Sequence, residues 1–339
     1  MRPFVTATAA LLLVLLLVPS PAVRAAGAGL QSPDDVFNQL QRNVWYLPTA
    51  DHMAQLYVTE VGAGPLVVFL HGGPGNDFHY SIDALRPHLG SHRFILYEQR
   101  GSLLSPVADK DIADLTIQQQ VADLETLREA LGADKLVLFG HSFGTLLALM
   151  YYEAHPDRVA GMVLAGAAPP TFGSAGLAGW IKAMRPRQQA LLGRKDLIAT
   201  TETAAGLRAD PARDTPRQAS IRSRIGQQAA LNIIDLGRWK QVTGGGIYYN
   251  QKVDDAIGDS LPSRFDIRPT RAAHPVPITV IDGDKDYIDP AGKGWTALAK
   301  VGKVVVDVIP DASHYAWIDA PEVFSAALAR GLERADARR

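Results

Sequence analysis

The sequence predicts an α/β architecture: a mostly parallel sheet flanked by helices, carrying an inserted, mainly helical cap. Three observations lead there. Short continuous apolar runs such as Leu66–Leu70 and Phe94–Tyr97 have the length and composition of strands buried on both faces. Such runs alternate with helix-period segments, the pattern of a parallel sheet covered on both sides. The alternation stops at about residue 169 and resumes after residue 271.

Each element follows from local chemistry. Ser32-Pro33-Asp34-Asp35 reads as a helix start, with a serine cap, proline first and acids in the first turn, and the helix should run to about Gln41. Val44–Leu47 and Gln55–Val61 read as a hairpin at a sheet edge. In Ile117–Leu131 the apolar residues Ile117, Val121, Leu124 and Leu131 share one helical face, and Gly132 stands where a C-terminal cap belongs. Lys135–Phe139 is a strand, Phe143–His155 a helix and Val159–Ala165 a strand. After the insertion, Val276–Ile281 is a strand, a helix begins near Asp289-Pro290, Val304–Ile309 is a strand and Pro321–Arg334 a closing helix. This divides the chain into a catalytic unit of 27–168 and 272–339 and a cap of 169–271.

At 339 residues the chain can bury a large core without staples. Its formal net charge of −1 gives no general field for nucleic acid or membrane surfaces. There is no cysteine, which excludes a thiolate nucleophile and thiolate metal sites. At the start, Arg2 precedes an apolar run from Ala9 to Val18, then Pro19, Pro21 and a small-residue stretch. That is the layout of a signal peptide over 1–26, and the run is shorter than the about 20 residues of a membrane-spanning helix. An exported protein, periplasmic or secreted, with no stable membrane insertion after signal removal is the expectation.

Gly140-His141-Ser142-Phe143-Gly144 fits G-x-S-x-G and lies between a predicted strand and a predicted helix. In that setting a tight turn lifts the serine hydroxyl above the sheet edge, and the flanking glycines leave room where a Cβ would collide. Ser142 is therefore the candidate nucleophile. His71-Gly72-Gly73-Pro74-Gly75 follows the strand Leu66–Leu70 and can bring a backbone N–H over it. Gly73, with Gly72 close behind, would pair with the N–H of Phe143 as an oxyanion hole. His71 is read as shaping that loop.

A serine hydroxyl needs a base, and the base an orienting carboxylate. His314 lies just past the strand Val304–Ile309, at the same sheet edge as Ser142, whereas His274 precedes a strand at the opposite edge. The acid should follow Val276–Ile281, in Asp282-Gly283-Asp284-Lys285-Asp286. Asp286 is favoured and Asp284 is second; Asp282 is expected below the site and Asp289 to cap a helix. No metal or organic cofactor is needed for this chemistry.

Together these motifs resemble the proline iminopeptidase family of the α/β-hydrolase fold. The matching residues are the loop 71–75, Tyr97-Glu98-Gln99-Arg100-Gly101-Ser102, the elbow 140–144, the late Gly283-x-x-Asp286 and His314. The sequence departs from the family at Glu98, where Asp is usual, at Ser102-Leu103-Leu104-Ser105, which lacks a second glycine, and at Phe143, where Trp is common. The resemblance implies release of an N-terminal residue from small peptides, with the cationic amine held by acidic groups from the cap. Glu98 and Glu202 are the candidate substrate-binding carboxylates, with Asp235 a further possible anchor. Residues 169–271 hold sixteen Lys plus Arg against nine Asp plus Glu, a net +7. A basic lid suits an anionic or neutral acyl substrate, so a carboxylesterase or lipase-like activity is the alternative.

Overall fold

The computed structural model describes residues 32–206, 210, 212–242 and 249–336; the segment read as a signal peptide lies outside them. The described residues form an 8-stranded sheet in the order β1-β2-β4-β3-β5-β6-β7-β8. The strands are β1 Trp45–Pro48, β2 Gln55–Gly62, β3 Leu66–Leu70, β4 Arg93–Tyr97, β5 Leu136–His141, β6 Val159–Ala165, β7 Ile278–Gly283 and β8 Val304–Ile309. β1 and β2 form the predicted antiparallel edge, and β2 joins the sheet antiparallel to β4. All later pairings are parallel.

Period-two alternation explains why the central strands read as unbroken apolar runs. Val67, Phe69, Val137, Phe139, Val163 and Ala165 pack into the core on one face. Val68, Leu70, Leu136, Leu138, Met162 and Leu164 pack into the core on the other. Helix α1 (Pro33–Arg42) is capped by Ser32, whose Oγ accepts the Asp35 N–H at 3.1 Å. Helix α2 (Ile117–Ala130) opens with a capping box of Thr116 and Gln119, and Gly132 beyond its end has φ +63°. Helix α3 (Phe143–Ala154) covers the second face.

Between β6 and β7 lie α4 (Gly176–Leu192), α5 (Lys195–Ala205), α6 (Pro216–Ser223), a six-residue π-turn Arg224–Ala229, α7 (Gln251–Ser260) and α8 (Arg268–Ala273). The two stalks of this helical region are tied by main-chain bonds, Phe172 N–H to Phe265 O at 3.0 Å and Ile267 N–H to Pro170 O at 3.0 Å. Helix α9 (Pro321–Asp336) closes the first face through Phe324, Leu328 and Leu332.

Several predicted bounds move by one or two residues, and two differences have a clear local cause. β7 begins at Ile278 rather than Val276, because Pro277 has no N–H for the ladder, and it extends to Gly283. The helix expected from Pro290 is a 3₁₀ turn, broken by left-handed residues Ala291 and Gly292, both at φ 60°. A Cβ on Gly292 would stand 2.7 Å from Val306, so the chain there is shaped by close approach to β8.

The topology fixes where a site can form. The chain leaves β3 for β4 on one side and leaves β5 for β6 on the other, so the order reverses between β3 and β5. In open α/β sheets the crevice beyond the carboxyl ends of such strands is where ligands bind.

Candidate active site

Ser142 sits at that crevice, between the end of β5 and α3, with φ 56° and ψ −124°. A non-glycine residue held there is strained, and the surrounding structure fixes it. The Ser142 N–H donates to Ala165 O at 3.0 Å, while its carbonyl accepts the Thr145 N–H at 2.9 Å and the Thr145 hydroxyl at 2.6 Å. The elbow glycines are sterically required. A Cβ on Gly144 would lie 2.0 Å from Leu70 O, and one on Gly140 would lie 2.6 Å from Gly144 O.

His314 Nδ1 and Asp286 Oδ2 are 2.8 Å apart and both residues are buried. The second oxygen of Asp286 accepts the Ile288 N–H at 2.8 Å. This bond holds the His314 ring with Nδ1 as donor, leaving Nε2 as an acceptor toward the cavity. Gly166, at φ +56°, makes room for the pair, since a Cβ there would fall 2.6 Å from His314 Cε1. Among the described residues the Ser142 hydroxyl makes no hydrogen bond to His314, but both side chains line one cavity of about 960 Å³. Such contacts are commonly long before substrate binds.

The other aspartates separate as their surroundings dictate. Asp284 turns outward to Lys285 at 2.8 Å. Asp282 is fully buried under the loop, where it accepts the Ala167 N–H at 2.7 Å, and burial raises its carboxyl well above the ordinary range. Asp289 accepts the Gly294 N–H at 2.8 Å. His274 lies on the surface, 3.0 Å from Asp157.

The glycine-rich loop is braced from beneath. His71 is buried; its Nδ1 meets Gly72 O at 2.7 Å and its Nε2 accepts the Gln99 N–H at 3.0 Å. Burial pulls this imidazole down to about 4, so it is neutral near pH 7. The Gly72 N–H donates to Tyr80 Oη at 2.6 Å. Gly73 and Phe143 both line the cavity, and among the described residues neither N–H has a protein acceptor. Those two donors are therefore free to meet an oxyanion.

Sequence reasoning missed a chain of contacts behind this loop. Because Tyr80 Oη accepts from Gly72, its own hydrogen points to His141 Nδ1, 2.8 Å away. His141 Nε2 then donates to His314 O at 3.2 Å, and the two imidazoles lie 4.6 Å apart. Burial, reinforced by His314, pushes His141 well below the ordinary imidazole value. Tyr80 thus joins the glycine-rich loop to the His314 backbone through one neutral histidine. Tyr80→Phe leaves a buried N–H without an acceptor. It should lower stability by about 1–3 kcal/mol in urea melts. It should also lower kcat roughly tenfold with KM little changed, less than the roughly 10²–10³-fold of losing an oxyanion donor outright.

Two expected substrate contacts are not at the cavity. Glu98 is fully buried beneath the turn 101–105; its Oε2 accepts the Leu104 N–H at 2.6 Å, and burial pushes it up to about 7. Its neighbours in the motif are also structural. Gln99 Nε2 donates to His71 O at 2.9 Å, and Arg100 is buried between Asp123 at 2.5 Å and Asp51 at 2.7 Å. Glu202 lies on α5, whereas the helical wall of the cavity comes from α4, the π-turn and α7. Asp235 is used locally, accepting the Gly237 N–H at 2.9 Å.

The wall also reverses the charge expected from composition. Although the helical region is basic overall, α7 presents Asp254, Asp255 and Asp259 to the cavity, against Arg185 from α4. Tyr249 is hydrogen-bonded to Asp254, whose carboxyl burial raises. A signal existed: Val253 and Ile257, four apart, mark the buried face of α7 and leave these aspartates to its flanks.

Residues 65–321 match the family model described as alpha/beta hydrolase fold. The proline iminopeptidase of Neisseria gonorrhoeae is 40% identical over 116 residues, covering 33% of this chain and 36% of that protein. The chain thus spans about a third of the length of the curated relatives it matches. Among solved structures, a proline iminopeptidase-related protein from Thermus thermophilus superposes with TM-score 0.59 at 25% identity, covering 87% of this chain and 99% of that one. A thermophilic esterase from Thermogutta terrifontis gives TM-score 0.59 at 19% identity over 86% of this chain and 98% of that one, a likeness of fold. With the sheet order, the elbow and a family match over most of its length, the chain belongs to the alpha/beta hydrolase fold family, and about a third of it is similar to proline iminopeptidases.

Proposed function

We propose that this protein is an exported serine hydrolase that releases the N-terminal residue of small peptides through an acyl-enzyme on Ser142. The observation that carries the reading is the buried His314–Asp286 hydrogen bond at 2.8 Å, on the cavity that also exposes the strained elbow serine. His314 Nε2 takes the Ser142 proton as Oγ attacks the substrate carbonyl. The Gly73 and Phe143 N–H groups receive the oxyanion. His314 then hands the proton to the departing amine, and the C–N bond breaks. Water attacks the acyl-enzyme with His314 again as base, freeing a carboxylate and restoring Ser142. Export rests on the charged start and apolar run of the first residues.

The aminopeptidase reading is supported by the three aspartates of α7 at the cavity and by the proline iminopeptidase relatives. Carboxylates on the wall of the Ser142 cavity favour a substrate with a free ammonium group, which an ester hydrolase does not need.

The test is a panel of aminoacyl amides, their amine-blocked forms and short acyl esters. Free-amine substrates are expected to dominate. In Asp254→Asn/Asp255→Asn their kcat/KM should fall about 10–100-fold, mainly through KM, the scale of a lost bond to a charged group. Short esters should be unaffected. Equal turnover of blocked and free amines would favour the esterase reading.

A further inference from the structure

The cap region does more than roof the cavity: one of its segments grips the loop that carries His314. Both peptide neighbours of His314 are held. The Tyr315 N–H donates to Asn232 O at 2.7 Å. The Ser313 N–H donates to Asp319 Oδ2 at 2.8 Å, and the other oxygen of that carboxylate accepts the Ile234 N–H at 2.9 Å. Ser313 Oγ adds a bond to Leu231 O at 3.2 Å, and Arg238 donates to Asp319 O at 3.2 Å. Residues 231–234 and 313–319 are thus fastened along their length.

The fastened segment is also part of the cavity. Leu231 and Asn232 line it, together with Gln227 and Gln228 of the preceding π-turn. π-turns of this kind recur at functional sites. The acid loop is gripped in parallel: Arg187 of α4 donates to Tyr287 O at 2.6 Å and to Ile288 O at 2.9 Å. The cap therefore holds both loops that carry the His314–Asp286 pair, through residues beside each.

The chemistry at position 319 is specific. Two backbone N–H groups converge on it from different parts of the chain, and a carboxylate offers each its own oxygen. An asparagine would offer one oxygen and turn an NH₂ group against the other N–H. Since His314 must stay aligned with both Asp286 and Ser142, small displacements of its loop are costly. Misplacement by about 1 Å can cost roughly 10²-fold in rate.

We propose that Asp319 is a positioning residue: its carboxylate clasps the His314 loop to the cavity-lining segment 231–234, so His314 is aligned with Asp286 only while that segment is seated. This rests on the serine-hydrolase reading above. The test uses full-length Asp319→Ala, Asp319→Asn and Ser313→Ala, beside Ser142→Ala. A short acyl ester that does not reach α7 should lose about tenfold in kcat with Asp319→Ala, at nearly constant KM. Asp319→Asn and Ser313→Ala should lose less, in the same direction. In parallel, the low-field proton resonance of the His314–Asp286 hydrogen bond should broaden or vanish, with thermal melts reporting the folded fraction. Folded variants with unchanged ester kcat and an unmoved resonance would overturn the clasp. Where Asp319→Ala does not fold, Ser313→Ala and Asp319→Asn decide it by the same two readouts. If Ser142→Ala keeps its activity, the hydrolase reading fails instead, and the resonance still reports on the clasp.

Discussion

Ser142→Ala is expected to lower kcat on an aminoacyl amide by about 10⁴–10⁶-fold, the scale seen when the nucleophile of a serine hydrolase is removed. The structure explains why the loss should be almost purely catalytic. Ser142 is held by its backbone, through Ala165 O and the Thr145 N–H and hydroxyl, and none of these bonds uses its Oγ. Alanine keeps the Cβ and meets the same positive φ. Folding stability should therefore change by less than about 0.5 kcal/mol, measured by urea unfolding of both proteins. Substrate binding should also persist, because the cavity walls and the free Gly73 and Phe143 N–H groups remain. A parallel collapse in stability would mean that the serine hydroxyl carries a structural role.

Asp286→Asn should reduce kcat by about 10⁴-fold with little change in KM, by analogy with loss of the orienting carboxylate in a serine protease of another fold. The carboxylate accepts from His314 Nδ1 at one oxygen and from the Ile288 N–H at the other. Asparagine can keep the Ile288 bond with its oxygen, but then presents an NH₂ group to His314. The imidazole must answer with Nδ1 as acceptor, which places its proton on Nε2, where the base needs a lone pair. The fold should survive, since the side chain keeps its shape and one bond. Asp284→Asn is the control: its carboxylate faces Lys285 away from His314, so kcat should stay within about twofold. Comparable losses in both variants would contradict the assignment of Asp286.

What the sequence revealed, and what it hid, follows from how far apart the interacting residues are. The elbow was legible because its constraints are local: glycines two positions either side of Ser142, with a strand before and a helix after. Asp286 was favoured by its place three residues past Gly283, but the sequence left Asp284 as an alternative; the two separate only in the fold, where Asp286 meets His314 and Asp284 pairs with Lys285. Strand β7 slipped by two residues because Pro277 removes a donor that apolar pattern alone does not register. The contacts that failed were long-range. Glu98 looked like a substrate contact on family resemblance, but it is buried away from the cavity once the 101–105 turn folds over it, with one oxygen accepting the Leu104 N–H. Net charge misjudged the cap because it sums over the whole region, whereas the cavity is lined by three aspartates of α7 against one arginine, Arg185 of α4. Tyr80, His141 and Asp319 carried no signal, since their partners lie on other elements and bond largely through backbone atoms that every residue has.

Covalent chemistry at Ser142 is tested by labelling the folded protein with a fluorophosphonate, read by intact mass and peptide mapping. One adduct per chain is expected, on Ser142, slowed in Asp286→Asn and absent in Ser142→Ala. An adduct at another residue, or no adduct in a preparation that still turns over substrate, would contradict it.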